Sequence, residues 1–434
     1  MIKKLFSSQL RINMVSGVAT TVLNTLVLAV GYPVYLHFLG YEQYGLWLIL
    51  TTVLTFAQLG NLGIGRALTK LVAEEYGRHD LQGIQQYVTA ALTVLILSGA
   101  VVLGVILSLR VPIVSLFGLS DQNEKAVLWL LPYVGCLSVY VFLVQAINGT
   151  LSGLGRMDLA NWTQSLGRMV AVATSAFFLW RGRGIESLLI GSTLSYVLVH
   201  IINVFSIRRV ISAPLLRPPR WRDGYYVRLL RFSLSLVGGS VLSMLISPFN
   251  KLMLSRYAGV STIPIYDIAC NGGMQARSLI EMGLRPLMPE VSRVQGSMIA
   301  NGRDRVRRIH YRAMQVVFGL GVPLYGMLML LATPLLKIWL RDSFVAGLPR
   351  VFRIMLVATF LSLIGIPAFH TLVGLGMVRY TLLGYLIESF ASAIIVVTLF
   401  FVWQERSVEA VAIALLVAMG INTAYLTVVR IRRV

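Results

Sequence analysis

Long apolar stretches separated by short polar connectors run through the whole chain. A helix needs roughly 20 mainly apolar residues to cross the ~30 Å hydrocarbon layer of a bilayer. Short segments alternating apolar and polar residues, typical of outer-membrane barrels, are absent from the sequence. The pattern therefore predicts an all-α, polytopic membrane protein of about twelve transmembrane helices, covering approximately 12–39, 44–65, 84–109, 126–150, 160–180, 185–207, 229–250, 258–288, 310–333, 348–376, 380–402 and 408–429.

The chain also contains an internal repeat. Thr150 to Gly155 (TLSGLG), after the fourth span, recurs after the tenth span as Thr371 to Gly376 (TLVGLG). Gly40 and Arg66, after the first and second spans, are matched by Gly259 and Arg285 at nearly the same offset. We interpret the Gly-Leu-Gly elements as structural turns. The agreement in topology predicts a duplication of six spans.

An even number of spans per repeat gives both halves the same orientation in the membrane. The prediction is two parallel-repeat six-helix bundles around a central cavity, an arrangement found in transporters that alternate access. We expect an N-terminal lobe over 1–207, a cytoplasmic basic linker over 208–228 and a C-terminal lobe over 229–434. Prolines, basic residues and aromatic residues around the linker favour the headgroup zone, so we expect part of it to form a surface helix.

Composition agrees with a membrane protein. Apolar residues make up 57% of the chain and charged residues 13%, against roughly 25% charged residues in a soluble domain. The mean hydropathy is +0.77. These values exclude a soluble enzyme.

The formal charge of +21, from 38 basic and 17 acidic residues, at first suggests an acidic partner. With the N-terminus inside, however, 24 basic residues fall in inner connectors and tails, and 11, Lys251 among them, fall in outer connectors. Positive charge concentrates on the cytoplasmic side of membrane proteins. The charge therefore predicts two cytoplasmic termini and requires no nucleic acid.

Catalytic motifs are not evident. No Walker-type glycine loop appears, and no pair of carboxylates stands in a sizeable outer connector, as acid-base glycan chemistry would need. Cys136 and Cys270 lie far apart in apolar runs and indicate neither a disulfide framework nor a metal site. The sequence predicts no enzyme, no cofactor and no metal.

Ionisable residues inside spans are costly and usually face an interior or a water-filled cavity. Arg277, Glu281 and Arg285 recur every four residues and form one stripe on the eighth span. The stripe is either self-neutralised against a neighbour, or it lines a cavity in which the guanidinium groups bind phosphate. Arg66 would join it from the pseudo-symmetric second span. Arg168 in the fifth span either snorkels to the headgroups or provides a further cavity cation.

Acidic residues within spans are candidates for ion coupling. Asp267 in the eighth span and Glu388 near the middle of the eleventh could bind a proton or cation, with Glu281 beside them on the stripe. The alternative for Asp267 and Glu388 is a structural hydrogen bond between helices. Gln58 and Asn61 are further candidates for a cavity lining.

Several stretches together resemble the bacterial polysaccharide transporters, the oligosaccharide-lipid flippases of the multidrug/oligosaccharidyl-lipid/polysaccharide exporter superfamily. They are Phe38 to Trp47 (FLGYEQYGLW), Leu59 to Gly65 (LGNLGIG), the basic turn Arg66 to Arg78, and the glycines of Gly153 to Gly155 and Gly374 to Gly376. The lipid II flippase branch typically has two further spans, so about twelve spans favour the polysaccharide branch.

The resemblance implies a multi-pass flippase of the bacterial inner membrane. Such a protein moves undecaprenyl-diphosphate-linked oligosaccharide to the periplasmic leaflet for lipopolysaccharide O-antigen, capsule or exopolysaccharide assembly. Its implied partners are that polyprenyl-diphosphate-linked glycan, membrane lipid, and a glycan polymerase or glycosyltransferases. Members commonly place cations in the central cavity, and the candidates for substrate binding are Arg66, Arg168, Arg277 and Arg285.

Three other functions remain open at this stage. A multidrug or cation antiporter of the same superfamily would favour an acidic cavity, whereas the intramembrane charges here are mainly basic. A membrane glycan polymerase would need a large outer loop with a catalytic acid or base. A scaffold without transport activity is compatible with the sequence.

Overall fold

The computed structural model describes residues 2–211, 214–218, 224–237, 240–284, 287, 290–292 and 302–433. Within those ranges the chain is helical and contains no strand, which confirms the all-α prediction. The helices are α1 (Ile2–Ala57), α2 (Ile64–Gly77), α3 (Leu81–Ser108), α4 (Arg110–Ser115), α5 (Asp121–Gly153), α6 (Met157–Trp180), α7 (Glu186–Ile211), α8 (Tyr225–Val237), α9 (Ser240–Tyr257), α10 (Thr262–Leu284), α11 (Gly302–Leu340), α12 (Leu348–Gly374), α13 (Val378–Phe401) and α14 (Val408–Arg433).

Eight helical stretches in the described part of the chain are long and apolar enough to cross a membrane. One of them, Val15–Gly77, is long enough for the first two predicted spans, and Gly40 (φ 68°) interrupts its helix. The other predicted spans fall on α6, α9 and α10, which are less apolar. These three helices carry Arg168, Lys251, and Arg277 and Glu281 of the predicted stripe. Their lower hydropathy follows from these ionisable side chains.

The chain forms two compact units, which we call the N lobe (Met1–Val241) and the C lobe (Leu242–Val434). In the N lobe, α2, α3 and α5 pack around buried aliphatic and aromatic side chains such as Leu68, Val88 and Phe142. In the C lobe, α12 packs against α10, α11 and α14.

The seventh predicted span, 229–250, falls on two helices, α8 and α9. Gly238 and Gly239 between them lie outside the described residues. Helix α8 packs on α2 and α3 of the N lobe. Arg228 Nη2 lies 2.6 Å from Glu74 Oε2, and the rings of Tyr225 and Tyr87 meet edge to face at 4.9 Å. The end of the predicted linker therefore contributes to a helix that is docked on the N lobe.

Residues 214–218 of the linker are held against α3 by side-chain hydrogen bonds. Amide and hydroxyl groups on one side of α3 bond to backbone groups of the linker. The bonds run from Gln85 Nε2 to Pro214 O (2.5 Å), from Gln86 Nε2 to Pro218 O (3.0 Å), from Thr89 Oγ1 to Arg217 O (3.0 Å) and from Arg217 N–H to Thr89 Oγ1 (3.2 Å).

The repeated Gly-Leu-Gly elements form the same turn in each lobe. Gly155 follows α5 with φ 82°, and Gly376 follows α12 with φ 72°. Glycine favours this left-handed conformation, and it is the usual way to end a helix. The residue after each glycine donates its N–H to the carbonyl five residues earlier: Arg156 to Leu151 at 3.2 Å and Met377 to Leu372 at 2.9 Å. The interpretation as structural turns is confirmed.

A close contact between α2 and α5 leads to a stability prediction. A Cβ on Gly149 would collide with the carbonyl oxygen of Gly65 across the helix pair. We expect Gly149→Ala to lower the free energy of unfolding by about 1–3 kcal/mol, because overpacking forces the helices apart. Gly104→Ala in α3 is the matched control, since nothing lies within 4 Å of its added methyl, and alanine is the better helix former by about 1 kcal/mol.

Unfolding of both purified variants in the same detergent measures the difference. If Gly149→Ala unfolds like Gly104→Ala, α2 and α5 are not in close contact at this point.

Candidate functional site

A polar cavity of about 350 Å³ lies within the C lobe, between α10, α12, α13 and α14. Its charged lining residues are Arg277 and Glu281 from α10 and Glu388 from α13. Asn422 of α14 contributes an amide. The structure thus joins two residues of the predicted stripe to an acidic residue more than 100 positions later in the chain.

Arg277 is held on two sides. Its Nε donates to Glu281 Oε2 at 3.2 Å, one helical turn along α10, and its Nη1 donates to Ser362 Oγ of α12 at 2.9 Å. The structure bears on both alternatives for the stripe, while phosphate binding by it stays a prediction. The guanidinium is paired within its own helix, and it lines a cavity. A guanidinium has five N–H donors, so these two bonds leave donors for a ligand.

Glu388 is held in place by a hydrogen bond from an amide side chain. Asn422 Nδ2 donates to Glu388 Oε2 at 2.5 Å, which links α13 to α14. With both glutamates ionised, the charged lining residues carry two negative charges against one positive charge. Because of this net negative charge, the cavity is better suited to bind a small cation than an anion.

Asp267 is not part of this cavity. It is buried, its Oδ1 lies 2.6 Å from Lys251 Nζ of α9, and its Oδ2 accepts from Asn271 Nδ2 at 3.0 Å. At 1.5 Å per helical residue, Asp267 is about 15 Å along α10 from Arg277. The assignment of Lys251 to an outer connector is wrong, because the lysine is buried inside α9 with its charge neutralised by Asp267.

A second polar cavity, of about 320 Å³, lies within the N lobe between α5, α6 and α7. Arg168 is its one charged member among the described lining residues. The others include amides and hydroxyls: Gln145, Asn148, Gln164, Ser192, Ser195 and Tyr196. Arg168 makes no ion pair or hydrogen bond with any residue that the structure describes. The guanidinium is therefore available to an anion, and the amides can bond to hydroxyl groups.

The amide lining continues from α5 toward the end of α1. Asn61 Nδ2 donates to Gln145 Oε1, and Gln145 Nε2 donates to Gln58 Oε1 at 3.0 Å. Gln145 thus connects the cavity lining to the two amides singled out from the sequence. Because the three amides bond to one another, their orientation at the cavity wall is restricted.

The remaining candidates lie elsewhere. Arg66 is an exposed residue in the first turn of α2 and is not in the lining of the Arg168 cavity. Arg285 lies outside the described residues. The structure therefore brings together Arg277, Glu281 and Glu388 in one lobe and places Arg168 in a separate cavity of the other lobe.

Sequence reasoning missed Lys251, Asn422 and most of the amides. Lys251 lies at the predicted end of a span. Hydropathy does not distinguish a lysine in a connector from a lysine buried in the last turns of a helix. Asn422 and Gln145 are ordinary polar residues of apolar helices. Only the packing of helices shows which side chains they meet.

A profile of the family described as polysaccharide biosynthesis protein matches residues 11–295 of the chain. No curated protein sequence matches it significantly.

Solved transporter structures share the fold. The chain is similar to the inward-facing conformation of a multidrug resistance MATE family transporter of the MOP superfamily, with a TM-score of 0.78 and 15% identity, over 98% of this chain and 94% of that one. It is similar to the lipid II flippase MurJ in its inward closed conformation, with a TM-score of 0.73 and 16% identity, over 98% and 87% of the two chains. A MOP superfamily transporter from Pyrococcus furiosus gives a TM-score of 0.60 at 15% identity, over 98% and 95%.

At these identities the structural matches establish the fold. The profile match spans well over half of the chain. The chain is therefore a multi-pass membrane protein that belongs to the polysaccharide biosynthesis protein family, and its all-helical fold is similar to that of the MATE transporter and MurJ structures.

Proposed function

We propose that this protein is a flippase for lipid-linked glycans. It moves undecaprenyl-diphosphate-linked oligosaccharide units across the bacterial inner membrane by alternating access, for assembly of O-antigen, capsule or exopolysaccharide. Both termini lie in the cytoplasm, as the distribution of basic residues predicts. A glycan polymerase or glycosyltransferases would supply and consume its substrate.

The cavity around Arg168 is the observation that carries the proposal. A diphosphate and several sugars meet a penalty of several kcal/mol per unsatisfied polar group in hydrocarbon. A guanidinium without an acidic partner binds phosphate oxygens through paired N–H groups, and side-chain amides and hydroxyls can bond to sugar hydroxyls. The cavity within the N lobe offers both. Arg66, Arg277 and Arg285 remain proposed as further contacts along the route.

The cavity around Glu388 supports coupling to a cation. In that lining the two negative charges of Glu388 and Glu281 exceed the single positive charge of Arg277. A proton or metal cation would therefore complete the charge balance. Asp267 is already balanced by Lys251, and we assign it to the framework of the C lobe. Cation binding there would bias the two states that alternating access requires.

The test is a strain in which the protein is depleted. We expect loss of surface polymer and accumulation of undecaprenyl-linked units on the cytoplasmic face. Arg168→Gln restores less than about a tenth of the polymer made with the wild-type chain, because one charged hydrogen-bond donor contributes about 1.5–3 kcal/mol. Arg168→Lys restores an intermediate amount, since lysine keeps the charge but not the paired donors.

Arg183→Gln, at an exposed position in the turn between α6 and α7, is the control and restores full polymer at equal protein level. A multidrug antiporter gives the opposite result. Depletion would then change drug sensitivity and leave polymer and lipid-linked units unaffected, and the proposal would be wrong.

A further inference from the structure

A third cavity, of about 750 Å³, lies within the N lobe between α3, α5, α7 and the linker. Its wall is mainly aliphatic and includes Ile96, Leu143, Val204 and Leu216. Arg208 is the one cation among its described lining residues. Neither Arg168 nor the hydrogen-bonded amides Gln58, Asn61 and Gln145 line it, so this cavity is separate from the proposed glycan site.

The cavity follows one face of α7. His200, Val204 and Arg208 line it at intervals of four residues, which places them on the same side of a helix. Eight residues of helix rise about 12 Å, close to half of the ~30 Å hydrocarbon layer. Since α7 ends at Ile211, Arg208 stands within one turn of the helix end. The cavity is thus about as long as one leaflet is thick, and its cation lies near the end of the helix.

Its edge is open to the surroundings of the lobe. Ile96 is 55% exposed and Leu216 is 54% exposed, so an acyl chain can enter the cavity from this edge. Arg208 is exposed and makes no ion pair or hydrogen bond with the residues that the structure describes. Arg209 beside it covers the ring of Phe205 at 4.3 Å and does not line the cavity.

We propose that this cavity binds an acyl chain of an anionic phospholipid from the cytoplasmic leaflet, with the lipid phosphate at Arg208. The proposal rests on the cytoplasmic placement of the linker but not on glycan transport. An aliphatic slot one leaflet deep matches an acyl chain, whereas a polyprenyl chain extends well beyond one leaflet. Basic pockets between helices on the cytoplasmic side are suited to anionic headgroups.

The linker closes one side of the cavity. Pro214, Leu215 and Leu216 form one side of the cavity. Pro214 is held to α3 by the bond from Gln85. A lipid seated there contacts the chain just after the end of α7, and it stabilises the linker in its place against α3.

Lipid retention by the purified full-length protein tests the proposal. The protein is incubated in detergent with phosphatidylglycerol, phosphatidylethanolamine or undecaprenyl phosphate, and bound lipid is counted by native mass spectrometry. We expect the wild type to retain phosphatidylglycerol in preference to phosphatidylethanolamine. Arg208→Gln lowers that retention about fivefold, the usual contribution of one basic residue near an anionic lipid surface. Arg209→Gln, its neighbour outside the cavity, leaves retention unchanged.

A second pair of variants tests the chain slot. Leu143→Trp fills the cavity from α5, and Ile96→Trp fills it from the exposed edge, where the fold tolerates a larger side chain. Either variant that elutes as a folded monodisperse protein loses retention of phosphatidylglycerol.

Three outcomes overturn the proposal. The first is an equal loss of phosphatidylglycerol retention in Arg208→Gln and Arg209→Gln, and the second is equal retention of the two phospholipids by the wild type. The third is displacement of phosphatidylglycerol by less than an equal amount of undecaprenyl phosphate. The last outcome would identify the occupant as a substrate tail. Failure of the flippase proposal is separate, because it would appear in the polymer assay with Arg168→Gln and leave lipid retention intact.

Discussion

Asp267→Asn lowers the free energy of unfolding by about 3–5 kcal/mol, the expected cost of leaving one charge of a buried ion pair without its partner. The pair joins α9 to α10, with Lys251 Nζ 2.6 Å from Asp267 Oδ1 and both side chains about 90% removed from solvent. Asparagine keeps the shape of the side chain and removes its charge. The lysine ammonium is then left buried and uncompensated.

The double variant distinguishes the ion pair from loss of packing. Lys251→Met alone is expected to cost a similar amount, and the combined variant costs clearly less than the sum of the two, because no unpaired charge remains. Arg78→Met is the control. Its partner Glu75 lies at 3.2 Å, but the arginine side chain is 62% exposed. Glu75 keeps Arg228 as a second partner at 3.9 Å, so the change is under about 1 kcal/mol.

Titration of the detergent-solubilised proteins with SDS gives the free energies of unfolding of the wild type, the three variants of the cycle and the control. Strict additivity of Asp267→Asn and Lys251→Met would contradict the ion pair. Stability of Asp267→Asn equal to that of Arg78→Met would do so as well.

Glu388→Gln abolishes the response of transport to an imposed ion gradient and lowers the transport rate about 10- to 100-fold. A charged hydrogen bond or ligand contact contributes about 1.5–3 kcal/mol, and 1.4 kcal/mol corresponds to a tenfold change. Glutamine still accepts a hydrogen bond from Asn422, so the contact between α13 and α14 is kept. Only the negative charge that would bind a cation is removed.

Translocation of a lipid-linked oligosaccharide in proteoliposomes, with an imposed pH or sodium gradient, measures this effect. Glu405→Gln, an exposed acid between α13 and α14, is the matched control and transports like the wild type. A gradient response that survives in Glu388→Gln removes this carboxylate from the coupling mechanism.

The helical architecture could be predicted because its signal is local. An apolar run of membrane length is evident in any window of about 20 residues, and the glycines after α5 and α12 end their helices by local hydrogen bonds. Helix boundaries were harder to place. Helix α8 begins before the predicted seventh span, because its first turn docks on the N lobe through Tyr225 and Arg228.

The candidate sites could be predicted only in part, because partners on different helices leave no local pattern. The spacing of Arg277 and Glu281 on one helix indicated their contact. The bond between Glu388 and Asn422 spans 34 residues and two helices, and that between Gln145 and Asn61 spans 84. Lys251 was misplaced because hydropathy treats every lysine as solvated, while Asp267 neutralises this one inside the C lobe.

The docking of α8 matters for the construction of chimeric transporters. Residues that follow the apparent duplication boundary belong physically to the N lobe, which extends to Val241. A recombination joint near residue 208 would separate Arg228 from Glu74 and the linker from the side chains of α3 that hold it. A joint after Val241 preserves both sets of contacts. Exchange of whole lobes between family members should therefore respect this later boundary, even though the sequence repeat suggests the earlier one.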